Sequence, residues 1–485
     1  MISFNAIPIS LRTPGQYIEF DNTKAVQGLP IVAQKILVIG TRAAAGSVAQ
    51  AVPTMILSAA QAEDAFGRGS MLSHMFQALK RANPYTEVWG VALDENAAGV
   101  KATGTITVTG PATEAGTLNL YIGGRLVQVA IANGDAQNAI ATNINAAINA
   151  NTDLDVTAGV AANVVTLTAR HKGTYGNYID VRANYNAGEK TPKGVVLVIV
   201  ALAAGATNPD VATAIAALGN EQYHTVITGY EDAVNLGKIE AELLLRWGPM
   251  QQKEGQAFVG TSGTHAAAVT LGDSRNSQFL TIANAGKSPT PWWEWAATVG
   301  AVDAFEPDPA RPRQTLALPG ILPPAPQDRY TRDERDILLN HGISTFTVDA
   351  GGNVLIERLI TTYKTNALGV TDVSYLDIET MRTIAYLRFS VRSRIALRYP
   401  RCKLADDGTR FGPGQAIVTP MIIRAELLAL FREWEEAGLA EGFEQFKADL
   451  VVERNKQDPN RVDAIIPPDV VNQFRVFAGK VQFRL

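Results

Sequence analysis

The sequence predicts a multidomain protein of mixed α/β and α+β type. A layered α/β domain is interrupted by an inserted β-rich domain and followed by an α+β C-terminal domain, with extended N- and C-terminal arms. Three features of the chain dictate this class. At 485 residues it exceeds one ordinary domain. Strand and helix patterns alternate over 31–97 and again over 205–330, whereas 98–204 is dominated by short alternating runs rich in Thr, Val, Gly and Asn. Both ends alternate apolar and polar residues, the pattern of a half-buried strand. The 46% apolar and 19% charged content suits large packed cores rather than disorder.

The N-terminal stretch MISFNAIPISLRTPGQY puts Ile2, Phe4, Ile7, Ile9 and Leu11 in near-alternation. Its early proline and lack of a long apolar core exclude a signal peptide. KILVIG (35–40) is an apolar strand running into the turn TRAAAGS. A phosphate loop there would need four residues between its glycines and then Lys-Ser/Thr, so that backbone N–H groups and the lysine surround the phosphates. Here five residues separate Gly40 from Gly46, and Ser47 follows without a lysine. The dinucleotide fingerprint fails as well, for want of a glycine two positions after Gly40. Arg42 could contact an anion; a plain strand-end turn is the other reading.

A helix is expected over SAAQAEDAFGRGSMLSHMFQALKRAN, with Ala65, Leu72, Met75, Phe76 and Leu79 on one face, before the strand EVWGVAL. The β-rich segment 98–204 then reads as a domain inserted into a surface loop, with one helical piece, AQNAIATNINAAINAN. After it the α/β rhythm resumes with HTVITGY, the helical DAVNLGKIEAELLLRW, QAFVGTSG and SQFLTIANA, so 31–97 and 205–330 form one domain. Trp292, Trp293 and Trp295 open a proline-rich connection; tryptophan there can line a pocket or anchor a core or interface.

The C-terminal domain is expected over 331–485. It begins with a helix over RDERDILLNHGIS and a hairpin turned by Ala350–Gly351–Gly352–Asn353. DIETMRTIAYLRFSVRSRIALRYPRCK carries six arginines and one lysine against two acids. As a helix it puts Ile384, Leu387, Val391 and Ile395 on one stripe, flanked by Arg388, Arg392 and Arg394. That basic strip is either solvated or meets an acidic protein partner. A second amphipathic helix, PMIIRAELLALFREWEEAGLA, shows Ile423, Leu427, Leu430 and Trp434 on one face. The chain closes on GKVQFRL, where Val481, Phe483 and Leu485 alternate with Lys480, Gln482 and Arg484. A strand with no room left to turn back pairs inside its own domain or joins a neighbour's sheet. Two such ends make self-assembly plausible, because head-to-tail contacts that do not close build helical filaments.

No catalytic, cofactor-binding or metal-ligating constellation emerges. The five histidines are scattered without a zinc-helix spacing, and GTSGTH (260–265) lacks the G-x-S-x-G geometry. Cys402, the single cysteine, excludes an internal disulfide framework and fits synthesis in a reducing compartment. A net charge of −4 points to neither nucleic acid nor an acidic membrane surface, and VVLVIVALAA is too short to span a bilayer.

These residues resemble the contractile tail sheath proteins of Mu-type bacteriophages and prophages. The likeness is carried by DPARPRQTLALPGI, YTRDERDILLNHGIS, GGNVLIERLITTYKTNALG, SYLDIETMRTIAYLRFSVR, YPRCKLADDG, the VTP before the second amphipathic helix, and PPDVVNQFRVFAGKVQFRL. PGQYIEFDNTKAVQGLP (14–30) is similar to that family's N-terminal arm. The resemblance implies a non-enzymatic virion protein, made and assembled in the host cytoplasm, that stacks as hexameric rings or a six-start helix around a tail tube. It further implies contraction that drives the tube through the bacterial envelope for DNA ejection, and contacts with baseplate and tail terminator proteins. On it, Tyr17, Ile18 and Phe20 fall in an N-terminal arm (1–30), Val481, Phe483 and Leu485 in a C-terminal strand-like arm (479–485), and the C-terminal domain faces the tube. Arg388, Arg392 and Arg394 are then tube-facing candidates on charge alone. The alternatives left by the residues are an α/β nucleotide-binding enzyme using the Gly40–Gly46 loop, or a baseplate component of the same particle.

Overall fold

A computed structural model describes residues 10–19, 29–30 and 32–484. Ile2, Phe4, Ile7, Ile9, Phe20 and Leu485 therefore lie outside the described residues. The chain forms two compact units: one of Gln34–Pro307 with Arg313–Ile378, the other of Met1–Ala33, Asp308–Pro312 and Glu379–Leu485.

The larger unit is organised on an eight-stranded sheet. Lys35–Thr41 is the third strand from one edge, parallel to Glu87–Leu93 on one side and to Thr225–Thr228 on the other. Gln256–Ser262, Leu280–Gly286 and Ile343–Val348 continue the parallel order beyond Thr225–Thr228. The chain thus builds outward from Lys35–Thr41 first in one direction and then in the other, and the reversal point lies between that strand and Thr225–Thr228. The central strands are apolar and buried on both faces, as parallel strands covered by helices must be. Helix Trp292–Phe305 packs across all four of them and against helix Met71–Ala82. Its three tryptophans, Trp292, Trp293 and Trp295, are core residues.

The helix expected from Ser58 to Asn83 is two helices, Ala59–Phe66 and Met71–Ala82. Gly67 and Gly69 both take positive φ, 86° and 73°, which ends the first helix. Ser70 then caps the second by accepting from the Ser73 N–H. Each half still buries its apolar face.

The stretch 331–378, expected with the C-terminal domain, instead completes the large sheet. Ile343–Val348 pairs parallel with Leu280–Gly286 and antiparallel with Val354–Arg358, so burial of the Leu280–Gly286 edge decides its place. Helix Arg332–Asn340 leads into it behind a capping box made by Thr331 and Glu334.

Between Glu87–Leu93 and Thr225–Thr228 the chain builds two further sheets. One has the order Val196–Ala203, Lys101–Thr109, Val164–Lys172, Val156–Ala161; the other joins Arg125–Ile131, Gly116–Ile122 and Val181–Ala183. Helix Gln137–Ala150 packs on them through Ile140, Ile144 and Ile148. Paired bonds between Val100 and Ala206 close the neck of this segment.

In the smaller unit, helix Pro420–Glu436 buries Leu427, Leu430 and Trp434, as its periodicity predicts. They form a core with Leu387, Phe431, Phe446 and Leu450, against which Leu29 packs. Helix Ile378–Arg398 turns a different face inward than its apolar letters predict: Thr383, Leu387, Ser390 and Arg394 are buried, while Ile384 and Ile395 are half-buried. The inward polar groups are bonded. Thr383 Oγ1 donates to Glu379 O, and Trp434 Nε1 donates to Ser390 Oγ at 2.9 Å.

Candidate assembly surfaces

In open parallel sheets, ligands sit outside the carboxyl ends of the strands at the reversal point. Here that position is filled. Thr41, the last residue of Lys35–Thr41, shares a hydrogen bond with the Tyr230 hydroxyl at 2.8 Å. The Tyr175 hydroxyl, brought from the inserted segment, donates to Thr41 Oγ1 at 3.3 Å. Tyr175 also meets Trp293 edge-on, and all four side chains are buried. The loop that follows is equally committed. Arg42 Nε bonds Asp94 at 2.6 Å and its Nη1 donates to Val48 O at 3.0 Å, so its charge serves the loop itself. A Cβ on Gly46 would come within 2.6 Å of the Phe66 backbone, which explains a glycine there as close packing. The strand-end loop is scaffold.

A buried charge network, absent from any local motif, joins the inserted segment to the sheet. His74 on helix Met71–Ala82 holds Asp155 of the insert, Nδ1 to Oδ1 at 2.8 Å. Arg125, also of the insert, lies 2.9 Å from Glu294 on helix Trp292–Phe305 and 3.5 Å from Asp155. Burial would raise the Asp155 carboxyl, but His74 and Arg125 outweigh it and hold it below its ordinary value. His74, Asp155 and Glu294 present ligand atoms within 4.8 Å of one another. The Arg125 guanidinium already supplies the positive charge between the two carboxylates, and a metal ion would have to displace it. Nothing in the spacing of residues 74, 125, 155 and 294 announces this network; the fold alone assembles it.

The arm residues are presented to solvent. Tyr17 and Ile18 are exposed, Ile18 by 83%, and the Tyr17 hydroxyl donates to Thr13 O at 3.3 Å. At the other end Val481 and Phe483 are 90% and 80% exposed. Apolar side chains so exposed at neighbouring positions are unusual for an isolated chain.

The basic strip divides. Arg392 is exposed, its guanidinium 5.9 Å from the Phe389 ring, and Arg388 is half-buried. Arg394 does not fit a tube-facing role in this arrangement: it is only 7% exposed and bonds Glu426 at 3.0 Å and Glu433. Burial opposes its charge, but both glutamates hold the guanidinium ionised. Its position on the helix was legible; its partners, 32 and 39 residues later, were not.

A hairpin unremarked in the sequence completes the picture. Val451–Arg454 pairs with Val462–Ile465 as a two-stranded sheet, so among the described residues each strand has one unpaired edge. The turn residues Asp458, Pro459 and Asn460 were its available signal.

Comparison with known proteins agrees along the whole chain. The phage tail sheath protein beta-sandwich domain matches residues 97–196, the phage tail sheath protein central domain 204–362, and the phage tail sheath C-terminal domain 370–484. The chain is 46% identical to the Mu-like prophage FluMu tail sheath protein of Haemophilus influenzae, covering 100% of both. Among solved structures it is similar to the sheath tail protein of Desulfitobacterium hafniense, with a TM-score of 0.49 and 13% identity over 94% of this chain and 100% of that one. It is also similar to the sheath of an extracellular contractile injection system in its contracted state, with a TM-score of 0.49 and 10% identity over 97% and 98%. The family matches and the full-length relative establish that this chain belongs to the phage tail sheath protein family.

Proposed function

We propose that the chain is the repeating subunit of a contractile tail sheath, which polymerises helically around a tail tube and shortens to drive the tube through a bacterial envelope for DNA ejection. The observation that carries this is the 46% identity to a prophage tail sheath protein over the full length of both chains. The exposed apolar arms support it. Val481 and Phe483 have the alternation of a strand, and the hairpin Val451–Ile465 offers free edges of the kind a neighbour's strand can extend. Partners on this reading are other copies of the chain, as hexameric rings or a six-start helix, the tube protein, and baseplate and terminator proteins at the two ends. Arg388 and Arg392 remain candidates for the tube-facing surface. Contraction would draw on the difference in packing energy between two lattices.

Electron microscopy of the concentrated subunit, alone and with its tube protein, tests the proposal. Striated hollow cylinders are expected. Removing residues 479–485 abolishes them while circular dichroism stays that of a folded protein. Ordinary cylinders from the truncated chain would remove the arm from the assembly, and discrete rings with no cylinders would favour a baseplate component.

A further inference from the structure

The C-terminal arm leaves its unit in stages. Val470 pairs with Ala440, and the Val471 N–H donates to Leu439 O at 3.2 Å. No strand follows. Phe474, Val476 and Phe477 are exposed by 78%, 79% and 82%, yet Arg475 between them is drawn inward. Its Nη2 donates to Glu379 Oε2 at 2.8 Å, and the two side chains are 13% and 0% exposed. Glu379 lies in the first turn of helix Ile378–Arg398. A buried carboxylate tolerates poorly the loss of its cation, so this pair resists withdrawal in a way that the exposed apolar neighbours do not.

We propose that the Arg475–Glu379 ion pair is the root of the C-terminal arm and sets how far the arm reaches toward a neighbouring copy of this chain. This rests on the arm reading given above. From Arg475 to Phe483 the chain runs eight residues. At about 3.3–3.6 Å per extended residue they place Phe483 at most about 29 Å from Arg475. Releasing the pair back to Val471 frees four residues more and adds about 14 Å. A neighbour's receiving edge within the shorter reach can be held with the root closed; one beyond it can be held only after the root opens. Arg475 is thus a positioning residue, acting on the contact made by Val481 and Phe483.

Trypsin tests the root in the unpolymerised full-length subunit, because Arg475 and the exposed Lys480 are both cleavage sites with Lys480 as internal control. Cleavage after Lys480 is expected at least tenfold faster than after Arg475. Glu379→Gln brings the two rates together without changing that at Lys480. Equal rates in the unaltered protein overturn the root. In polymers, Glu379→Gln and Arg475→Gln each shift or broaden the helical rise seen by cryo-electron microscopy, or abolish cylinders. The exchanged pair, Glu379→Arg with Arg475→Glu, restores a single rise. Unaltered, uniform rise in both single variants overturns the effect on reach. Ordinary cylinders from a chain ending at Arg475 would instead defeat the arm reading itself, whatever trypsin shows.

Discussion

Replacing Arg125 by Met tests the network that joins the inserted segment to the sheet. Methionine keeps most of the length and apolar stem but removes the charge lying 2.9 Å from Glu294 and 3.5 Å from Asp155. Both carboxylates are nearly buried, at 8% and 6% exposure, so water cannot replace the guanidinium. His74 still bonds Asp155, which leaves Glu294 as the group most exposed to the loss. Breaking a buried ion pair from one side costs about 3–5 kcal/mol. Arg125→Met is therefore expected to lose about 3–4 kcal/mol. Arg125→Met with Glu294→Gln recovers about half, because the orphaned charge is gone. Urea unfolding followed by tryptophan fluorescence is the natural assay, since Trp293 and Trp295 flank Glu294 in sequence and report on its surroundings. A cost under about 1 kcal/mol for the single variant, or no recovery in the double, would refute the claim that the network is dry and mutually compensated.

Two further outcomes are expected. Glu231 sits just past strand Thr225–Thr228, and burial pushes its carboxyl up to about 7, partly opposed by a hydrogen bond to Thr261. The folded state then binds a proton that the unfolded chain releases near pH 4.5, so stability falls as pH rises from about 4.5 to 7 and is level above. Glu231→Gln should flatten that slope and stabilise the protein at pH 8 by about 2–3 kcal/mol, read from urea midpoints at a series of pH values. Reversing Arg388 and Arg392 to Glu should weaken co-sedimentation with the tube protein more than self-association; unchanged tube co-assembly would mark that face as merely solvated.

The sheet was legible because its strands are short apolar runs between turn residues. KILVIG and QAFVGTSG become Lys35–Thr41 and Gln256–Ser262 nearly letter for letter. The break between Phe66 and Met71 was written in Gly67, Gly69 and Ser70, but apolar periodicity continues across it and masked the stop. Helix Ile378–Arg398 failed differently. Counting apolar letters assumes that polar ones face water, whereas Ser390 and Arg394 turn inward because Trp434, Glu426 and Glu433 bond them there. The same limit hides His74, Arg125, Asp155 and Glu294. Each is unexceptional in its own segment, and only the register of the fold gives them common purpose. The alternation of the two ends was legible in the sequence, whereas their reading as arms came from the family resemblance.

Tyr175 has a bearing on how such chains can be recombined. An inserted segment closed at its neck by Val100 and Ala206 looks detachable, a cassette to be exchanged for another of equal span. Yet its tyrosine reaches back to Thr41 and Trp293 and fills the crevice at the reversal point of the host sheet. A graft that kept the neck but lacked this plug would open a hole beneath the splice, and a deletion would do the same. Successful chimaeras should therefore carry an aromatic residue at the equivalent turn, so that the junction is cut in space around residue 175 as well as in sequence at residues 100 and 206.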